Sequence, residues 1–110
     1  MTRCEFFTEN DRITGFSISG HSGYAEAGSD IVCAAVSAVV AMAECTINDV
    51  LGLAASVKVR AEDAFVSLRL PGSLGQTAES TCQALLTCLM LYFTELHDAY
   101  PDNIEILEED

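Results

Sequence analysis

The chain has 110 residues, with five Lys and Arg against seventeen Asp and Glu and a net charge of −12. That length predicts one domain spanning 1–110, and that charge repels phosphates, so direct binding of nucleic acid is not expected. The acidity either serves solubility alone or attracts a basic partner. Half of the residues are hydrophobic, enough for a core without disulfide staples. Five cysteines are an odd number with no C-x-x-C spacing, and the two histidines form no H-x-x-x-H pattern. No metal or cofactor is therefore expected, and free thiols fit a reducing cytoplasm. No N-terminal segment joins basic residues to a long apolar run. The most apolar region is interrupted by Glu44, Asn48 and Asp49, so neither a signal peptide nor a membrane span is expected.

In chain order, Arg3 to Thr8 reads as a strand with Cys4 and Phe6 on one face. Glu9-Asn10-Asp11 turns the chain into a second strand, Arg12 to Ser19, where Thr14, Phe16 and Ile18 alternate inward. Gly20 to Ser29 carries too many small residues for a packed element and reads as a loop. Asp30 then caps a helix from about Ile31 to Leu51, with Val36, Val39, Val40, Ala43, Ile47, Val50 and Leu51 at helical period. Two further strands are predicted over Val57–Glu62 and Ala64–Leu70, the second ended by Pro71-Gly72. A second helix from about Gln76 to His97 follows, carrying Cys82, Leu85, Leu86, Leu89, Met90, Phe93 and Leu96, with Pro101 beyond it. The acidic tail holds Ile104, Ile106 and Leu107 and reads either as an edge strand or as loose chain. The order β-β-α-β-β-α predicts an α+β fold of two layers: a four-stranded, mainly antiparallel sheet with both helices on one face.

The chemistry-bearing stretch is the loop and the start of the first helix. With Asp30 as cap, Cys33 falls in the first helical turn, where unpaired amides and the helix dipole stabilise a thiolate. His21, on the preceding loop, is placed to take the thiol proton. The free amides are placed to hold the oxyanion of an acyl-transfer step. Ser37, four residues on, shares a helix face with Cys33. Each residue also has a plainer reading. Cys33 can be a small buried hydrophobe, His21 a loop hydrogen-bonder, Asp30 only a cap, and Ser37 a packing residue. Cys4, Cys45, Cys82 and Cys88 are assigned no chemistry, and His97 is placed near the carbonyls that end the second helix. Gly20-His21-Ser22-Gly23 is no serine-hydrolase elbow, because Tyr24 stands where the last glycine belongs.

Gly20-His21, a glycine-bearing loop, and then Asp30-Ile31-Val32-Cys33-Ala34-Ala35-Val36-Ser37 resemble the signature of the ribosomal-processing cysteine protease family Prp. The resemblance extends over nearly the whole chain in length and element order, but its specificity rests on these eighteen positions. Ser22 departs from the alanine common there. The resemblance implies a nucleophile at Cys33, a catalytic histidine at His21 and supporting positions at Asp30 and Ser37. It implies a substrate loop including Gly20, Ser22, Gly23, Tyr24, Gly28 and Ser29 that orders over the substrate, and a homodimer. The implied substrate is the precursor of the twenty-seventh protein of the large ribosomal subunit, cut after an aromatic pair to remove a short N-terminal extension. A non-catalytic adaptor for a basic ribosomal protein and a redox-sensing thiol protein are the alternatives.

Overall fold

The computed structural model describes residues 1–20 and 27–110, with residues 27–30 described by their backbone alone. Its elements are β1 (Thr2–Glu9), β2 (Arg12–Ser19), α1 (Ala27–Glu44), β3 (Ser56–Arg60), β4 (Phe65–Arg69), α2 (Gln76–Ala99) and β5 (Ile104–Glu109), and a π-helical stretch, Cys45–Val50, prolongs α1. The strands form one sheet in the order β3-β4-β2-β1-β5. The α+β class expected from the sequence holds, but the sheet has five strands rather than four. β5 pairs parallel to β1, in register Thr2↔Ile104 to Phe7↔Glu109, which makes the sheet mixed.

The fifth strand forms because α2 carries the chain from β4 back across the sheet to its far edge. β4 and β5 are parallel strands joined by α2, as β2 and β3 are parallel strands joined by α1. The two crossovers start on oppositely directed strands and travel in opposite directions across the sheet. With the usual right-handed crossover, both helices then fall on the same face. Ile104 is fully buried behind α2, and His97 Nδ1 donates to the Ile104 carbonyl at 2.6 Å. His97 therefore fastens β5 to α2, rather than sealing the carbonyls of its own helix.

The pleat divides the residues. Cys4, Phe6, Phe16, Ile18 and Leu68 point to the helices and are buried. They meet Val32, Val36, Val40, Ala43 and Ile47 from the first helical segment and Cys82, Leu86, Leu89 and Phe93 from α2 in one core. Phe6 sits at its centre, with ring centroids 6.0 Å from Phe16 and 6.1 Å from Phe93. Between Phe7 and Thr8 the β1–β2 register shifts, a bulge that interrupts the ladder. There Gln83 of α2 both accepts from the Ile13 amide and donates to the Ile13 carbonyl, at 2.8 Å each, so the side chain satisfies both backbone groups of Ile13 beside the bulge. Beside it Arg12 pairs with Glu79 at 2.6 Å and donates to the Pro71 carbonyl at 3.0 Å.

The first helix differs from its predicted bounds. It already runs from Ala27, so Asp30 is its fourth residue rather than its cap, and Gly28 and Ser29 belong to the helix rather than to the loop. At its other end the Asn48 side chain accepts from the Ala55 amide at 2.7 Å and donates to the Ala55 carbonyl at 3.2 Å, turning the chain into β3. The segment Ile31–Val50, with mean hydropathy 1.8, is long and apolar enough to cross a membrane by length and composition. Glu44, Asn48 and Asp49 do not break it as expected. Its packed side chains are core residues of the domain, and the rest of its apolar surface is left uncovered.

Two outcomes test this core. Phe93→Ala removes a fully buried ring between β1 and α2 and is expected to cost about 3–5 kcal/mol in urea unfolding. Burial also pushes the Cys4 thiol up from 9.0 to about 12. The folded protein thus holds the Cys4 proton at pH values where the unfolded chain releases it, so this contribution to stability is complete below pH 9 and is lost as pH rises towards 12. Unfolding free energy measured from pH 8 to 11 is expected to fall above pH 9, by at most about 1.4 kcal/mol per pH unit from this one group, and Cys4→Ala is expected to flatten that slope.

Candidate active site

Gly20 closes β2 and opens the stretch that leads to α1. Its φ of +79° is a conformation that side-chain-bearing residues avoid, and a Cβ there would lie 2.6 Å from the Met1 carbonyl oxygen. Its amide donates to the Asp63 carbonyl at 3.2 Å. The start of β1 and the β3–β4 turn thus grip the chain at the point where it leaves the sheet. His21 is bonded to this residue. His21, Ser22, Gly23 and Tyr24 lie outside the described residues, as do the side chains of Ser29 and Asp30.

On α1, Cys33 is half-buried and Ser37 is exposed, one turn further along. Both line a cleft of about 430 Å³ between α1 and the sheet. Its helix wall continues through Val36, Val40 and Ala41 to Glu44, and its sheet wall includes Thr2, Ile18, Gly20, Val59, Ala64 and Val66. The register explains the sheet wall: Ile18 pairs with Val66 and Val66 with Val59, a row of aliphatic side chains on the helix-facing side. β3 extends past the shelter of α1, so Val59 points to the helix side and is still 70% exposed. The result is a trough that is apolar along its length, with a thiol and a hydroxyl on one rim.

The structure therefore brings together three of the sequence-predicted positions, Cys33, Ser37 and Gly20. It also revises the reason for Cys33. As the seventh residue of α1, Cys33 has its amide inside the helical hydrogen-bond pattern, and the unpaired amides belong to the turn that starts at Ala27. Cys33 therefore does not stand in the first turn of the helix. Its thiol stands instead on the wall of an apolar cleft. The cleft residues from β2, β3 and β4 were missed by sequence reasoning. Their alternation marks them as inward-facing, but nothing in it tells a filled position from an unfilled one.

No other thiol lines this cleft. Cys4 and Cys82 are buried, and burial raises the pKa of both, with the Glu79 charge adding to the rise at Cys82. Cys45 and Cys88 are exposed on the helices.

With this geometry in view, comparisons with known proteins agree. The family described as Cysteine protease Prp matches residues 1–105. A ribosomal processing cysteine protease Prp from Bacillus subtilis is 28% identical over 94 residues, 86% of this chain and 84% of that protein. The fold is similar to that of an essential ribosomal processing protease Prp from S. aureus solved in complex with a substrate peptide, at TM-score 0.83 and 19% identity, covering 99% of this chain and 100% of that one. It is also similar to SMU.848 from Streptococcus mutans, at TM-score 0.85 and 22% identity, covering 99% and 94%.

Gly20→Ala tests the anchor of the loop. The positive φ alone is expected to cost about 1–2 kcal/mol, and the contact with Met1 adds to it. Urea unfolding reads the loss. A variant as stable as wild type would show that Gly20 is not held as described.

Proposed function

This chain belongs to the Cysteine protease Prp family, and from that premise we propose that it processes a ribosomal protein precursor. The specific reading is removal of a short N-terminal extension from the twenty-seventh protein of the large subunit, in the cytoplasm. One observation carries it: Cys33 lies on the rim of an apolar trough of about 430 Å³, which can take the aromatic pair that precedes the implied cut. The relative from S. aureus has also been solved with a covalently linked product peptide, at TM-score 0.77 and 21% identity over 99% of this chain and 100% of that one. That supports an acyl-enzyme route here.

In this mechanism His21 takes the proton from the Cys33 thiol, and the sulfur attacks the scissile carbonyl carbon. The tetrahedral intermediate collapses to a thioester as His21 returns the proton to the leaving amine. Water, deprotonated by His21, then hydrolyses the thioester and frees the thiol. Ser37 and Asp30 are supporting positions. Ser37 lines the same cleft as Cys33. The net charge of −12 favours encounter with a basic ribosomal protein.

We place the homodimer contact on the outer face of the helices. Val39, Met42, Leu85, Cys88 and Tyr92 line an apolar groove between α1 and α2, with Met42 69% exposed. A second copy of this chain covers that groove in the proposed assembly.

The experiment is incubation of wild type, Cys33→Ala and His21→Ala with the precursor ribosomal protein, the cut being read by intact mass. Cleavage is expected from wild type alone, with each variant slower by at least about a thousandfold. Equal cleavage by Cys33→Ala would overturn the assignment. For the assembly, Met42→Glu is expected to convert a dimer to a monomer in light scattering while leaving the unfolding temperature of the monomer unchanged.

A further inference from the structure

Glu44 is the one charged residue lining the cleft among the described residues. It is exposed, and the ion pairs of the described residues leave it out: Arg3 pairs with Glu105, Arg12 with Glu79 and Arg60 with Asp63. The remaining two Lys and Arg residues, Lys58 and Arg69, stand on strands β3 and β4 with their side chains on the face opposite the helices. No cation of the chain's own is therefore set against the Glu44 carboxylate among the described residues. The wall between Cys33 and Glu44 is uncharged, made of Val36, Ser37, Val40 and Ala41.

From this arrangement we infer that Glu44 is a specificity subsite that binds a Lys or Arg side chain of the peptide lying in the cleft. The inference rests on the protease reading above, since it takes the cleft to hold a peptide. The spacing sets the register. Cys33 and Glu44 are eleven positions apart on one helix, a rise of about 16 Å. An extended peptide advances about 3.3 Å per residue, so the cationic side chain belongs about five residues from the scissile bond. A carboxylate at the end of an apolar wall also works by exclusion. An acidic side chain at that register meets a like charge with no cation beside it, and an apolar one forfeits the ion pair.

The test uses fluorescein-labelled peptides with an aromatic pair at the scissile bond and one Lys, Gln or Glu placed three to seven residues away on either side. Binding is measured by anisotropy on Cys33→Ala, which reads the subsite whether or not the chain cleaves. Cleavage of the same peptides by the protein with Cys33 intact is measured in parallel. For one register near five residues, the Lys peptide is expected to bind roughly fivefold tighter than the Gln peptide, an effect that shrinks with added salt. The preference is expected to vanish in Cys33→Ala with Glu44→Gln, and to invert towards the Glu peptide with Glu44→Lys. An unchanged Lys-to-Gln ratio in Glu44→Gln, or no binding of any peptide, overturns the subsite. Charge-dependent binding that follows Glu44, with no cleavage by the Cys33 protein, sustains the subsite and overturns the protease reading instead.

Discussion

The burial of Val32, Val36, Val40, Ala43 and Ile47 against the sheet fixes how the first helix sits, and the site depends on that seating. A helix turns about 100° per residue, so once this stripe faces the core, the next stripe must face outward along the flank. Cys33, Ser37, Ala41 and Glu44 occupy that flank and form one wall of the cleft. Core packing and the active-site wall are thus set by a single rotation of one helix. A shift that improved one would disturb the other, because each residue of the wall is next in sequence to one of the core.

The second constraint is the sheet's own reach. β3 is an edge strand, and its far end with Val59 extends beyond the helix layer. Without β3 the wall opposite α1 would end at Val66 of β4. The pairing of Val59 with Val66 and of Val66 with Ile18 supplies that wall as a smooth aliphatic row. Gly20 ties the row to the entry of the loop, since it is held between Met1 and Asp63 at the end of β2. The cleft is therefore built from α1 and from β1 to β4 with their flanking residues, and its apolar character follows from the pleat.

The charge distribution complements this division. The helix-opposed face of the sheet holds Arg3, Lys58, Arg60 and Arg69, while the remainder of the molecule carries most of the acidic excess. Two of these cations lie over rings, Arg60 over Phe65 at 4.0 Å and Arg69 over Phe7 at 4.7 Å. Such stacking covers aromatic surface that the open face would otherwise leave to solvent. The face without helices is thereby made stable in water, and the functional groups gather on the other.

The sequence by itself determined the elements whose signals are local. The β2 strand, the hairpin partner before it and the span of α2 follow from alternation and helical period, and the Gly20-His21 and Asp30 to Ser37 stretches carry the family signature. The start of α1 lies ahead of its local signal, because a carboxylate before an apolar run looks like a cap even when Ala27, Gly28 and Ser29 already belong to the helix. The tertiary structure alone decided the rest. β5 is a strand because Ile104 finds a buried place beside β1 and under α2, a contact across about a hundred residues of chain that the short acidic tail does not announce. Ile18, Val59 and Val66 look like any inward-facing aliphatics until the sheet outruns the helix, and Glu44 looks like a break in an apolar helix until the cleft gives it a place at the rim. Periodicity states which way a side chain points, and only packing states whether anything is there to meet it.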